Sequence, residues 1–277
     1  MPRALAVSAL LLACLTSAGC SAGTTPQSVD RRSLVWVNAL AVARPDYHVV
    51  HEEQLLSRAR PEHRDAVRVV VEPRWPTWSH TEVFGRQVLE LRPNEDGDVS
   101  LPDLPAWNLT EAIHALSFDA EAREQVTAEA EARLDELAQA KDLKVTIVVG
   151  FTEPLQEGEV RQLWKKIPDV GLFSPPTHGG GLPISWDYSG HCNARGFDDC
   201  NPDIRDSLTS AFRKWTGLLQ TEDESTLTSF GIDPGELRNS AAAGLWYGMI
   251  STTWLEHAKT LFGDPRVNVI QVGQVAF

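Results

Sequence analysis

The sequence predicts an α+β fold, and the clearest indication is a pattern repeated in its C-terminal part. Residues 145–151 (VTIVVGF) form an uncharged run that is typical of a buried strand. Apolar residues then recur at helical spacing over 160–167, and a strand-like run follows at 170–173. The succession of strand, helix and strand returns in runs at 245–250, 253–262 and 267–275. Two such units predict a ferredoxin-like sandwich with its helices on one face of the sheet.

This predicted domain covers residues 143–277 and carries an insertion at 174–240. Successive residues of a strand point to opposite faces, so every second residue from Val145 to Phe151 lies on one face, and all four of these are apolar. The predicted core consists of Val145, Ile147, Val149, Phe151, Val160, Leu163, Trp164, Trp246, Leu261, Val269 and Val272. Within the insertion, 184–188 is strand-like. Pro202 opens a predicted helix with one apolar face, formed by Ile204, Leu208, Phe212 and Trp215.

The region before this domain is predicted to be β-rich, without a named topology. Strands are expected at Ser33–Val42, Ala66–Glu72 and Arg86–Leu91 within residues 33–118. A helix is expected over 119–142, because Asp119 is a good N-cap and Val126, Ala130, Leu134 and Leu137 recur at helical spacing.

Residues 1–19 have the pattern of a secretory signal, with Arg3, an apolar run and then small residues. The sequence Ser17-Ala-Gly-Cys20 resembles the lipobox of bacterial lipoproteins, although that family usually has Leu, Val or Ile where Ser17 stands. The resemblance implies that Cys20 becomes the N-terminus, carrying a diacylglycerol and a further acyl chain such as palmitate. It places the protein on the outer face of the cell membrane. The alternative is an ordinary secreted protein in which Cys20 is an unmodified thiol.

Residues 20–32 are mostly small and polar and predict a flexible tether between the lipid anchor in the membrane and the body. The chain carries a net charge of −13. An acidic body disfavours nucleic acid and anionic membrane surfaces as partners. No cofactor is expected.

Two further cysteines, Cys192 and Cys200, lie in a segment with loop character. Outside the cell they are expected to form a disulfide. Two alternatives stay open, namely free thiols and a metal site that also uses His191, Asp198 and Asp199, although these residues match no known zinc pattern.

The C-terminal part is similar to the extracytoplasmic C-terminal domain of bacterial sigma-factor regulators. The resemblance rests on VTIVVGF, EVRQLWKKI and AFRKWTGLL, and on Tyr247-Gly248, the helix to Phe262, Pro265 and the last strand. It covers about half of the chain and implies a sensing module. Those regulators have a membrane-spanning helix and a cytoplasmic segment that binds the sigma factor, and the sequence contains no counterpart of either.

No catalytic constellation stands out, so the sequence favours a non-enzymatic lipoprotein that binds a small ligand or an envelope protein. His48 and His51 are three apart, whereas metalloprotease histidines are four apart. Asp187, Ser189 and His191 suggest the alternative of an envelope hydrolase that uses the 174–200 loop, but no Gly-x-Ser-x-Gly elbow accompanies them. A purely structural envelope protein is the third possibility. The aromatic residues Trp164, Trp215 and Trp254 are expected in the core. Core packing is also favoured for Trp75, Trp78 and Trp107, with a sugar or peptide groove as the alternative.

Overall fold

The computed structural model describes residues 31–50, 66–74, 85–95, 97–139, 143–175, 181–187 and 207–276. The α+β class is confirmed, since helices pack on two antiparallel sheets. The helices are α1 (Arg31–Ala43), α2 (Asn108–His114), α3 (Ala120–Leu137), α4 (Glu157–Trp164), α5 (Leu208–Thr216), α6 (Glu224–Ser229), α7 (Pro234–Ala243) and α8 (Leu255–Lys259). The strands are β1 (Tyr47–Val50), β2 (Val67–Pro73), β3 (Gln87–Leu91), β4 (Lys144–Gln156), β5 (Val170–Leu172), β6 (Ser185–Asp187), β7 (Leu245–Trp254) and β8 (Val267–Ala276).

The larger sheet has the strand order β6-β5-β7-β4-β8, and all its neighbours are antiparallel. Its two long central strands, β4 and β7, approach closely where Gly150 faces Gly248. A Cβ atom on Gly248 would lie 2.4 Å from the carbonyl oxygen of Val149, so only glycine fits there. Every residue of the predicted core is buried, which confirms that prediction.

Helices cover both faces of this sheet, whereas the sequence predicted cover on one. On the first face, α4 and α8 pack over Val145, Ile147 and Val149. On the second face, Leu109 and Ile113 of α2 pack against Val148 and its neighbours. The reason is that the second face of β4 is also uncharged, so exposing it to water would leave apolar surface unburied.

Helix α3 packs along the edge strand β8 and begins where the sequence predicted. The Asp119 side chain accepts a hydrogen bond from the Ala122 N–H at 2.9 Å and so caps the helix. Thr127 Oγ1 accepts from the Ile270 N–H at 3.1 Å, which satisfies a strand-edge group. The helix therefore shields an edge that could otherwise pair with another chain.

The predicted strand at 33–42 is wrong, because this segment forms helix α1. Seven of its apolar residues are buried, namely Leu34, Val35, Trp36, Val37, Ala39, Leu40 and Val42. A helix that is apolar almost all round shows no contrast between its faces, so its sequence cannot be distinguished from that of a buried strand. The predicted strands at 66–72 and 86–91 are confirmed as β2 and β3, and they form a second antiparallel sheet in the order β1-β2-β3.

Helix α1 contacts both sheets, so one continuous core joins the N-terminal and C-terminal parts. Ser185 Oγ of β6 donates to the carbonyl oxygen of Val42 at 3.2 Å. At the other end of α1, Arg31 Nη2 lies 2.5 Å from Asp223 Oδ2. None of the helices in the described ranges combines the length and apolar character needed to cross a bilayer.

Two predicted helix starts differ from the structure. Helix α5 is capped by Ser207, whose Oγ accepts from the Ser210 N–H at 3.1 Å, and Pro202 and Ile204 lie outside the described residues. Helix α8 begins after Trp254 rather than at Thr253, because β7 continues four residues beyond the predicted strand.

Candidate functional site

All five strands of the larger sheet begin or end on the same side of it. Strand β7 ends at Trp254 opposite Lys144, where β4 begins, and β8 also ends there. Farther along the same edge, Asp187 at the end of β6 lies opposite Val170 at the start of β5. Four side chains lie at these strand ends, and we call them together the polar edge: His48, Arg74, Asp169 and Asp187. Binding and catalytic residues occur disproportionately often on the loops that join strands.

Arg74 connects the two sheets at the polar edge. It follows β2 directly, and its guanidinium forms an ion pair with the Asp187 carboxylate. Its Nε donates to the Pro45 carbonyl oxygen at 2.7 Å, and its backbone N–H donates to that of Asp46 at 3.0 Å. The Asp187 side chain is 4% exposed and that of Arg74 is 12% exposed, so the pair is largely removed from water. Losing one partner would leave a nearly buried charge, which is strongly destabilising.

A buried network holds the turn that positions Arg74. The Asp46 carboxylate accepts from Arg44 Nε at 2.9 Å and Nη2 at 2.8 Å, and from Thr110 Oγ1 at 2.8 Å. Arg44 Nη1 also donates to the Leu104 carbonyl oxygen at 3.0 Å. Burial would lower the pKa of Arg44, but Asp46 outweighs it and the pKa is raised. This network is internally satisfied and acts by fixing the carbonyl groups that hold Arg74.

His48 is the imidazole of the polar edge. It lies in β1 directly opposite Glu72 of β2, on the face of the smaller sheet from which Glu72 also projects. Burial lowers the pKa of His48, and the nearby charge of Arg74 lowers it further, against the opposite influence of Asp187 and Glu72. The imidazole is therefore neutral near pH 7, with one nitrogen that donates and one that accepts.

Asp169 supplies the second carboxylate of the polar edge. Its Oδ2 accepts from the Thr252 N–H at 2.5 Å. The residue keeps exposed surface, yet protein around the carboxyl group desolvates it and raises its pKa, with a further contribution from Asp187. The Thr252 hydrogen bond and the charge of Arg74 oppose this shift. Carboxylates and imidazoles with shifted pKa values that share an edge are characteristic of binding and catalytic sites.

The structure places only some of the residues singled out in the sequence. His48 and Asp187 meet at the polar edge, whereas His51, Ser189 and His191 lie outside the described residues. The same holds for Cys20, Cys192 and Cys200, for Trp75 and Trp78, and for most of the 174–200 loop. Trp107 Nε1 donates to Tyr47 Oη at 2.5 Å, so the indole contributes to the internal network.

Trp164 and Trp215 are fully buried, as predicted, but the prediction for Trp254 is wrong. Trp254 is 39% exposed because it lies at the end of a strand rather than on a helix face. Sequence reasoning also missed Arg74 and Asp169. Both stand beside prolines in segments that indicate only turns, and their partners are far away in the chain.

Comparisons with protein-family models, with curated proteins and with solved structures found no match for the chain. Within the described ranges, no group of three or more His, Cys, Asp or Glu side chains could hold a metal ion.

Proposed function

We propose that this protein is a lipoprotein anchored to the outer face of the cell membrane, and that its body binds a small ligand or an envelope protein without catalysing a reaction. The observation that carries the binding role is the polar edge, where a neutral imidazole, a carboxylate with a raised pKa and a shielded ion pair lie together. Such a set offers hydrogen-bond donors and acceptors to a polar ligand. In the ion pair, Arg74 and Asp187 fix each other's position, so a ligand would meet groups of defined geometry.

The anchoring role is supported by how the tether would join the body. The predicted tether leads directly into α1, which begins at Arg31. The Arg31–Asp223 ion pair and the buried residues of α1 fix this helix on the body. Residues 21–30 could extend over roughly 35 Å. A lipid on Cys20 would therefore hold a firmly folded body close to the bilayer.

We also propose that the C-terminal part is ferredoxin-like. Taken as two strand–helix–strand units, β4-α4-β5 and β7-α8-β8 interleave in the strand order β8-β4-β7-β5. This interleaving supports the assignment, and β6 would be an addition at the edge. A sensing role like that of the sigma-factor regulators is compatible with this arrangement, in which Tyr247-Gly248 lies in β7 and Pro265 directly precedes β8.

Carboxyl-specific labelling tests the binding role, because Asp169 is exposed in the structure. In native envelope membranes, a bound ligand or partner should lower the labelling of Asp169 several-fold relative to the purified protein. The matched control is Glu153, an exposed carboxylate near the end of β4 that lies away from the polar edge. A second control is the purified protein in vesicles of host lipid, which separates lipid contact from other ligands. Equal labelling of Asp169 in envelope and vesicles would contradict the proposal.

A second candidate is an envelope hydrolase that uses the 174–200 loop. The observation in its favour is that Asp187, directly before residues 188–206, influences the pKa of both His48 and Asp169. Titratable groups whose environments shift their pKa values in opposite directions are candidates for the acid and the base of a reaction. Turnover of an ester, amide or glycoside substrate that disappears in a His48→Ala variant would replace the binding proposal with this one.

A further inference from the structure

The lysines of this acidic chain are concentrated at one place. The chain has only six, at positions 141, 144, 165, 166, 214 and 259, within a net charge of −13. Lys144 contacts Trp254, Lys166 contacts the adjacent Thr253, and Lys165 directly precedes Lys166. We call Lys144, Lys165, Lys166 and Trp254 the lysine pole. It lies at the same end of the sheet as the polar edge.

Two contacts define the lysine pole. Lys144 stands opposite Trp254 in the register of β4 and β7, and its Nζ lies 5.2 Å from the centre of the indole ring. Lys166 Nζ donates to Thr253 Oγ1 at 3.3 Å. Lys165 ends α4 in a left-handed conformation with φ of 56°, and both Lys165 and Lys166 are exposed. Trp254 is one of the three exposed large apolar side chains among the described residues.

Acidic side chains also lie beside the lysine pole. Lys259, in the helix that follows Trp254, is paired with Asp135 at 2.6 Å. Two further acids that the structure describes beside the pole are Glu256, at the start of α8, and Asp169, which accepts from Thr252. Among the described residues the pole thus combines three lysines with these two carboxylates, in a chain whose net charge is −13.

We propose that the lysine pole rests on the anionic surface of the bilayer, and this inference depends on the proposed anchoring of the body. Indole rings favour the headgroup level of a membrane, where their apolar body and polar N–H are both accommodated. Lysines beside such a ring are attracted to anionic lipid, each strengthening binding by about 5-fold. A lipid on Cys20 would keep the body within reach of that surface. The pole orients the body so that its acidic surfaces face away from the membrane.

This proposal differs from the expectation drawn from composition. Net charge disfavours anionic membranes for the body as a whole, but the interaction decays over about 10 Å or less at physiological salt. A local pole can therefore bind while distant acidic surfaces are screened.

Vesicle co-sedimentation tests the proposal with the mature chain, residues 20–277, carrying Cys20→Ala so that no lipid contributes. This form keeps every element that the structure describes. It should bind vesicles containing phosphatidylglycerol at least 10-fold more tightly than vesicles of phosphatidylcholine alone, and added salt should weaken the binding. Replacing Lys144, Lys165 and Lys166 together by Gln should reduce binding to anionic vesicles roughly 100-fold. Trp254→Ala should also weaken it.

Lys214→Gln is the matched control, because Lys214 is an exposed lysine on α5. It should bind as the parent chain does. Equal binding to both kinds of vesicle, or unchanged binding of the triple variant, would overturn the proposal. Capture of the pole by an envelope protein without any vesicle binding would overturn it as well. Each of these results would overturn the lysine-pole proposal alone. The proposed anchoring would still stand if membrane association of the lipid-bearing chain requires Cys20.

Discussion

Replacing Trp164 by Ala is expected to destabilise the protein by about 3–5 kcal/mol, as truncation of a large buried aromatic side chain does. Trp164 is 0% exposed, and its ring centre lies 4.3 Å from that of His257 on α8. The side chain thus joins the two helices that cover one face of the larger sheet. The loss is a large part of a typical stability of roughly 5–15 kcal/mol. Urea unfolding monitored by circular dichroism measures it.

Two matched variants separate packing from other effects. Among the described residues, the Trp164 indole N–H has no hydrogen-bond acceptor, so Trp164→Phe should cost clearly less than Trp164→Ala. Trp254→Ala should cost no more than about 1 kcal/mol, because Trp254 is 39% exposed. An unchanged unfolding midpoint for Trp164→Ala would show that this residue does not hold the helices on the sheet.

Replacing Glu157 by Gln is expected to cost about 2–3 kcal/mol at pH 7, since hydrogen bonds to a charged group are the strong ones. The Glu157 carboxylate is mostly buried and accepts from the Leu208 N–H at 3.2 Å and the Thr209 N–H at 3.1 Å. It also accepts from Ser207 Oγ and from Arg161 Nη2, the latter at 2.6 Å. One side chain therefore joins the start of α4 to the start of α5, and an amide could not accept all of these bonds.

The cost of Glu157→Gln should depend on pH. Burial alone would raise the pKa of Glu157, but hydrogen bonds from Ser207, Arg161 and Thr209 outweigh burial and lower it. A lowered pKa in the folded protein contributes stability above the pKa of the unfolded chain, about 4.3–4.5, and this is lost as pH falls through the folded value. The difference between Glu157→Gln and the parent should therefore shrink below about pH 4.5. The exposed Glu153→Gln is the control and should track the parent at every pH. A difference that stays constant down to pH 3 would contradict the assigned role.

The parts of the fold that the sequence predicted are those with an unambiguous apolar pattern. The run 145–151 is uncharged over seven residues and could only be a buried element, and β4 indeed lies at the centre of the larger sheet. The segment 33–42 is equally apolar, but its pattern does not distinguish a buried helix from a buried strand. Only its packing between two sheets decides that it is a helix.

The polar edge could not be assembled from the sequence. Arg74 and Asp187 are 113 positions apart, and they meet only because α1 joins the two sheets into one body. Asp169 meets Thr252 because β5 and β7 are neighbours in the sheet. Such contacts follow from topology, which local patterns do not encode. The sequence indicates His48 and Asp187 as candidate site residues, but with partners other than those that the structure provides.

A lipid on Cys20 is proposed to hold this body at the membrane, and detergent-phase partitioning of a Cys20→Ala variant measures whether it does. Membranes are first washed with salt, so that electrostatic contact through the lysine pole does not retain the protein. The parent chain should enter the detergent phase, and Cys20→Ala should remain in the aqueous phase. Cys14→Ala is the matched control, because Cys14 lies within the apolar run of the predicted signal, and it should behave as the parent does. Identical partitioning of Cys20→Ala and the parent chain would contradict the claim.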